Sequence, residues 1–185
     1  PGCSRKNLVI MFVDIRDFTR FSSCNTSEKV AEILNFYFSI CKNQIHDCGG
    51  TVDKFIGDAV MAFFGDPWEV PDPELAAVKA AQQIQQIIQK HRTDFMGLHV
   101  GIGINAGDVL VGNFGCLDRL DYTVIGDNVN IASRLAHIAG PDEILVSRSV
   151  FDKISDRFAA SAKPDVRVKG LDQTLDVYAV GTNLL

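Results

Sequence analysis

An unbroken apolar run, Leu8-Val9-Ile10-Met11-Phe12-Val13, stops abruptly on a carboxylate, Asp14. Its β-branched and aromatic content, and its length, suit a strand buried on both faces. A carboxylate at the end of such a strand is costly unless it is paired or binds a cation. The segment that follows, Ile15 to Thr19, is short and more polar. Its backbone N–H groups, including those of Phe18 and Thr19, could face an anion. A carboxylate for a cation beside free N–H groups for phosphate is what a Mg²⁺–nucleotide site needs. A strand that simply ends in an Asp-initiated turn would give the same pattern.

A second stretch, Thr51 to Gly65, shifts the balance. It reads TVDKFIGDAVMAFFG, two strand-like halves around Gly57-Asp58. A Gly-Asp pair between β-rich runs reads as a tight hairpin. Asp58 then sits at a sheet edge, where the hairpin could bring it beside Asp14. Two carboxylates on neighbouring strand ends can share two divalent ions, the arrangement that clamps attacking and leaving oxygens in phosphoryl chemistry.

The chain has 185 residues, 46% of them hydrophobic, enough for one compact domain with its own core. The net charge of -5 argues against general nucleic-acid binding, which needs a basic surface. It leaves room for a nucleotide pocket lined locally by Lys and Arg. Five cysteines without CxxC spacing read as reduced thiols, and the cytoplasm is the expected location. No apolar run reaches transmembrane length, so no membrane insertion of this domain is expected. The chain starts on Pro1 rather than Met, which suggests a fragment of a longer protein, with an anchor or sensor region elsewhere in it.

Between these stretches the periodicity alternates. Asn25-Thr26-Ser27-Glu28 is a helix start, and Val30, Ile33, Leu34, Tyr37, Phe38, Cys41 and Ile45 follow at helical spacing, ended by Gly49-Gly50. Asp72-Pro73-Glu74 opens a second helix, with Ala77, Ala80, Ala81, Ile84, Ile87 and Ile88 as its apolar stripe. Leu98–Ile104 and Val109–Val111 read as two strands with a turn at Gly107-Asp108, and Phe114 to Asp121 as an arm off the sheet. The order strand, helix, hairpin, helix, strand is βαββαβ. It predicts an α+β, ferredoxin-like core with helices on one face of an antiparallel-rich sheet. The C-terminal extension should add a helix near Val129–Ile138, a strand at Glu143–Val146, a short helix, and strands around Val166–Lys169 and Leu175–Val180. One domain, residues 1–185, is the economical division.

The third informative stretch, Leu120 to Leu135, reads LDYTVIGDNVNIASRL. Asn130 and Arg134 are four apart and project from one helix face. An Asn offers a donor and an acceptor, suited to a ribose; an Arg offers a rigid cationic fork, suited to a phosphate whose charge shifts. A capping Asn and a surface Arg would look the same in isolation.

Taken together, FVDIRDFT, FIGDAVMAFFG, TVIGDNVNIASRL and the late Val168-Lys169-Gly170 resemble the class III nucleotidyl cyclase catalytic domains over nearly the whole chain. The resemblance implies Asp14 and Asp58 as ligands of two Mg²⁺ or Mn²⁺ ions, with the Ile15 carbonyl completing one of them. Asn130 would orient the ribose, Arg134 would stabilise the transition state, and Lys169 would contact the terminal phosphates. The family's base-selecting positions fall on Lys54 and Thr123. Lys can donate to adenine N1, whereas guanine presents donors at N1 and its exocyclic amine. Lys with Thr is a pattern of adenylyl cyclases, in a branch that includes many bacterial enzymes. One departure is Asp17, where many members carry Gly.

The resemblance therefore implies an adenylate cyclase turning ATP into cyclic AMP and pyrophosphate in signal transduction. The active unit it implies is a homodimer with two shared sites, under an upstream regulatory domain. A guanylate cyclase, or a catalytically silent cyclase-like regulatory domain, are the alternatives. The Lys54–Thr123 pair argues against the former, and the complete residue set against the latter. The homodimer has a local reason too. Lys54 lies within a strand and Asp58 at its turn, so the two cannot easily converge on one small ligand.

Overall fold

The computed structural model describes residues 2–116, 118–167 and 174–184. Strand β1 (Ser4–Ile15) holds the apolar run, and each residue from Leu8 to Val13 is at most 6% exposed. Val9, Met11 and Val13 join one core, while Leu8, Ile10 and Phe12 join a second on the opposite face. This is the period of two of a pleated strand with both faces covered.

Helices α1 (Phe18–Cys24) and α2 (Ser27–Asp47) follow β1. The Thr26 side chain accepts a hydrogen bond from the Lys29 N–H and starts α2. Ile33, Tyr37, Cys41 and Ile45 lie on the buried stripe of α2, as their spacing predicts. Strands β2 (Thr51–Ile56) and β3 (Ala59–Phe64) form the expected hairpin around Gly57-Asp58. Helix α3 (Pro73–Lys90) carries its proline in the first turn, where no N–H is missed. Strand β4 (Val100–Cys116) completes a sheet in the order β2-β3-β1-β4, with β3 and β4 both antiparallel to β1. This is the ferredoxin-like core, and α2 and α3 pack on one face of it, against Val9, Met11 and Val13.

Strand β4 departs from expectation. Instead of two strands and a turn it is a single strand, with Gly107 paired to Leu8 and Asp108 to Asn7 in mid-ladder. The glycine answers to packing rather than turning: a Cβ on Gly107 would lie 2.4 Å from the Asn128 side chain. Glycine inside a strand commonly marks such an approach.

The extension begins with β5 (Arg119–Ile125), which folds back antiparallel along the far half of β4. The stretch from Phe114 to Asp121, expected as an arm off the sheet, is instead the tip of this hairpin, with Phe114–Cys116 still in β4 and the return strand running on to Ile125. Helix α4 (Asp127–Ile138) comes next, then β6 (Glu143–Ser147), parallel to β4, and α5 (Arg148–Ile154). Strands β7 (Phe158–Arg167) and β8 (Thr174–Leu184) finish the sheet, β7 starting well before the expected Val166. Helix α4 does not share the face of α2 and α3. Its Ala132 and Ala136 pack with Leu8, Ile10 and Phe12, so α4 covers the sheet's second face, while α5 sends Val150 and Ile154 into the core of the first.

Candidate active site

The end of β1 is held from two sides. The buried Tyr37 hydroxyl, on α2, donates to the Val13 carbonyl at 2.9 Å, one residue before Asp14. The register Val13 to Val60 draws the hairpin turn alongside, and the Ile15 N–H donates to Asp58 Oδ2 at 3.1 Å. Asp14 and Asp58 are thus brought together across 44 positions of sequence, counted as 58 − 14. Burial, and then the Asp14 carboxyl beside it, pushes the Asp58 carboxyl up to about 7. Two carboxylates confined this way cannot both ionise without repulsion, and a divalent cation between them would remove it.

Sequence reasoning missed Arg16. Its guanidinium donates to Asp14 Oδ2 at 2.5 Å and, through its other terminal nitrogen, to the carbonyls of His137 and Ala139 at 2.8 and 3.0 Å. The last carbonyls of a helix lack intrahelical partners, so Arg16 ties Asp14 to the C-terminal end of α4. Its position straight after Asp14-Ile15 carried no signal of that distant contact.

Asp14, Ile15, Phe18, Thr19 and Asp58 line one open cleft of about 800 Å³. Asp17 also lines it, exposed, with φ of 57° in the left-handed region. Glycine adopts that backbone without strain, and an aspartate less readily. Among the described residues no three His, Cys, Asp or Glu side chains gather into a metal cage. The oxygen-only pair, with nearby backbone, fits Mg²⁺ or Mn²⁺ that arrives with a polyphosphate and keeps other ligands from it.

The two expected base-reading residues also meet, through a residue that sequence reasoning passed over. The ladder between β2 and β3 slips between Val52 and Lys54, which leaves Asp53 as the extra residue of a bulge. Neighbours in a regular strand point to opposite faces, and a bulge re-aims one of them. Asp53 Oδ1 lies 3.5 Å from Lys54 Nζ, and its other oxygen accepts a hydrogen bond from the Thr123 hydroxyl. Thr123 sits on β5, which is hydrogen-bonded to β4 and so far from β2 in strand order. Strand β5 crosses the second face to reach it, and the Tyr122 hydroxyl makes a parallel tie to Asp66, beyond the end of β3.

Asn130 and Arg134 project from α4, Asn130 exposed and Arg134 half-buried. Neither has a hydrogen-bond or ion-pair partner among the described residues, and neither lines the cleft of Asp14 and Asp58. Alternate positions of β4 seat this helix. Gly101, Gly103 and Gly107 let it approach, and the buried Asn105 side chain donates to both the carbonyl and the side-chain oxygen of Asn128 at 3.0 Å. Three glycines and an asparagine at spacing two were the available signal. Lys169 lies outside the described residues.

Fold and site together define a ferredoxin-like α+β domain built around a paired-carboxylate cleft. A family model for the adenylate and guanylate cyclase catalytic domain matches residues 3–181, and the chain belongs to that family. It is 35% identical over 190 residues to an adenylate cyclase of Anabaena cylindrica, covering 97% of this chain and 38% of that protein. The chain thus spans well under half the length of that relative. The crystal structure of the adenylyl cyclase CyaB from P. aeruginosa superposes with a TM-score of 0.93 at 35% identity, covering 98% of this chain and 96% of that one. The guanylyl cyclase Cya2 superposes with a TM-score of 0.92 at 31% identity, covering 97% and 94%. Both purine specificities therefore occur among close structural matches.

Proposed function

We propose that this domain is an adenylate cyclase, which converts ATP to 3′,5′-cyclic AMP and pyrophosphate. The observation that carries ATP over GTP is the meeting of Lys54 and Thr123 at one carboxylate. A Lys can only donate, so it suits the acceptor N1 of adenine and opposes the N1–H of guanine. The similarity to Cya2 supports guanylate cyclase as the second reading.

In the proposed reaction the ribose 3′-hydroxyl gives up its proton to solvent water as its oxygen attacks the α-phosphorus. The bond from that phosphorus to the bridging oxygen breaks, and pyrophosphate leaves with the electron pair. Asp14 and Asp58, with the Ile15 carbonyl, would hold two Mg²⁺ or Mn²⁺ ions. When bound, these supply charge neutralisation and a lowered pKa for the 3′-hydroxyl. Phe18 and Thr19 border the phosphates in the same cleft. The Asn130 amide orients the ribose, and the Arg134 guanidinium offsets charge on the transferring group. The same reading assigns Lys169 to the terminal phosphates.

The active unit in this reading is a homodimer with two shared sites. Asn130 and Arg134 stand apart from the cleft of their own chain, so a two-fold axis would bring them to the partner's cleft. Exposed apolar side chains gather on β2 and on β5: Phe55, Ile56, Leu120, Tyr122 and Ile125. Such exposure suits a surface that another chain covers. An upstream regulatory region fits the greater length of the Anabaena relative. ATP as substrate suits the cytoplasm, and no helix among the described residues is long and apolar enough to cross a membrane.

Incubation with ATP or GTP and Mn²⁺, followed by chromatography, tests the reading. Cyclic AMP as the main product is expected. Cyclic GMP would install the guanylate reading, and no product from a proven dimer would make this a silent regulatory domain.

A further inference from the structure

The Lys54–Thr123 pair is held by a third group, and the chemistry of that group decides which way the pair can point its hydrogen bonds. Asp53 occupies the bulge of β2 with its side chain only 2% exposed. Thr123 is 6% exposed, so its hydroxyl has few neighbours to choose from. A carboxylate accepts and does not donate, and a hydroxyl has one proton to give. Thr123 donates that proton to Asp53, and only lone pairs remain for any other partner.

We propose that Asp53 is the positioning residue that sets purine specificity, by fixing Thr123 as a hydrogen-bond acceptor toward the base. The inference rests on the adenylate cyclase reading and deepens it. Adenine presents an acceptor at N1 and a donor at its exocyclic amine. Lys54 matches the first, and Thr123, so constrained, matches the second. Guanine presents N1–H and O6 at the same places, which sets donor against donor and acceptor against acceptor. A free threonine hydroxyl would rotate and serve either base. The buried carboxylate removes that freedom, and through Lys54 Nζ at 3.5 Å it also steadies the second reader.

Asp53→Asn is the informative substitution because it keeps the shape. Lys54 can only donate, so the new amide oxygen turns toward it and the NH₂ turns toward Thr123. Thr123 must then accept from the amide, and its proton is released for guanine O6. The ratio of kcat/KM for ATP to that for GTP should fall roughly tenfold or more, the effect of unpairing one buried polar group. Complete conversion is not expected, since Lys54 still opposes guanine N1–H. Affinities for 3′-deoxy-ATP and 3′-deoxy-GTP, which cannot cyclise, should shift in the same direction. In a Thr123→Val background, Asp53→Asn should leave the ratio unchanged, because the positioning acts through the hydroxyl.

A purely structural Asp53, one that merely tied β5 to β2, would lower turnover of both nucleotides by the same factor and leave the ratio alone. That outcome overturns the proposal. Should Asp53→Asn fail to fold, the wild-type chain decides the point with purine ribonucleoside triphosphate, which lacks the exocyclic amine. A roughly tenfold loss of kcat/KM relative to ATP is expected, and equal use of the two overturns the acceptor role of Thr123. A wild type that prefers GTP sinks the adenylate reading itself. A wild type that prefers ATP, with an unmoved ratio in Asp53→Asn, sinks only this inference.

Discussion

Gly103 and Ala136 are in backbone contact: a Cβ built on Gly103 would lie 2.1 Å from the Ala136 nitrogen. The same Cβ would meet the Ala132 carbonyl oxygen at 2.4 Å. Helix α4 thus rests directly on β4, and the side chains it carries are placed by that seat. Gly103→Ala has only backbone to push against. It should destabilise by about 1–3 kcal/mol in urea unfolding. In the fraction that folds, α4 is lifted, and kcat should drop more than a hundredfold because Asn130 and Arg134 move with it. Normal kcat in a folded Gly103→Ala would show that the position of α4 is not critical.

Asp14→Ala and Asp58→Ala should each abolish cyclic AMP formation while the protein stays folded. Each removes half of the oxygen pair proposed for the cations. Circular dichroism and a thermal melt check the fold, and chromatography checks the product. Loss of the thermal shift caused by Mn²⁺ with a non-cyclisable nucleotide gives a readout independent of turnover.

Shared sites predict complementation. Asp14→Ala and Arg134→Ala are each expected to be nearly inactive. In a mixed dimer both lesions fall in one site and the other is whole. With random exchange, recovery should be roughly a quarter of wild-type activity. No recovery despite demonstrated exchange would mean that each site is built within one chain.

Asp17 holds a left-handed backbone, φ 57°, without a capping hydrogen bond from its side chain. Asp17→Gly should relieve the backbone and raise stability, by at most about 1 kcal/mol after the extra freedom of unfolded glycine is offset. Asp17→Asn keeps the backbone preference and removes only the charge. Both should lower KM for the metal–nucleotide complex, because the carboxylate borders the proposed phosphate cleft. A KM change in Asp17→Gly alone would assign the effect to backbone rather than charge.

Asp142 joins the loop after α4 to β4. It pairs with Arg92 at 2.5 Å and with His99 at 2.7 Å, and accepts from the Val100 N–H. Burial raises its pKa, but the Arg92 and His99 contacts outweigh that and hold the carboxyl below its ordinary value. The folded pKa lies under the unfolded one, so Asp142 contributes stability above the unfolded value, about 3.9, and loses it as pH falls through the folded value. Wild type should therefore lose its stability margin over Asp142→Asn on acidification below about pH 4. Urea midpoints measured for both from pH 7 to pH 2.5 check this, and a constant difference would contradict it.

Much of the fold was legible locally. The run from Leu8 to Val13 declares a two-faced strand, Gly57-Asp58 a hairpin, and the stripe of Ile33, Tyr37, Cys41 and Ile45 a helix face. The unity of β4 was not legible, because Gly107-Asp108 has the composition of a turn. The bend is overridden by ladder partners on β1 and by the helix packed on the other side. The opposite placement of α4 was likewise hidden, since its stripe specifies burial but not which face of the sheet supplies it.

The candidate site divides in the same way. Residue types and spacings along the chain singled out Asp14 and Asp58 as a carboxylate pair and Asn130 and Arg134 as one helix face, while Lys54 and Thr123 stood out only through the resemblance to the cyclase family. Asp53 and Arg16 acquire their roles only from contacts with residues 70 and over 120 positions away, at Thr123 and at the carbonyls of His137 and Ala139. A bulge that re-aims one side chain, a strand that crosses a sheet face and a helix end that needs a donor are consequences of how the elements close on one another. Periodicity reports the neighbours a residue has at three or four positions, or at two. It carries no record of the partner that the closed sheet brings to it.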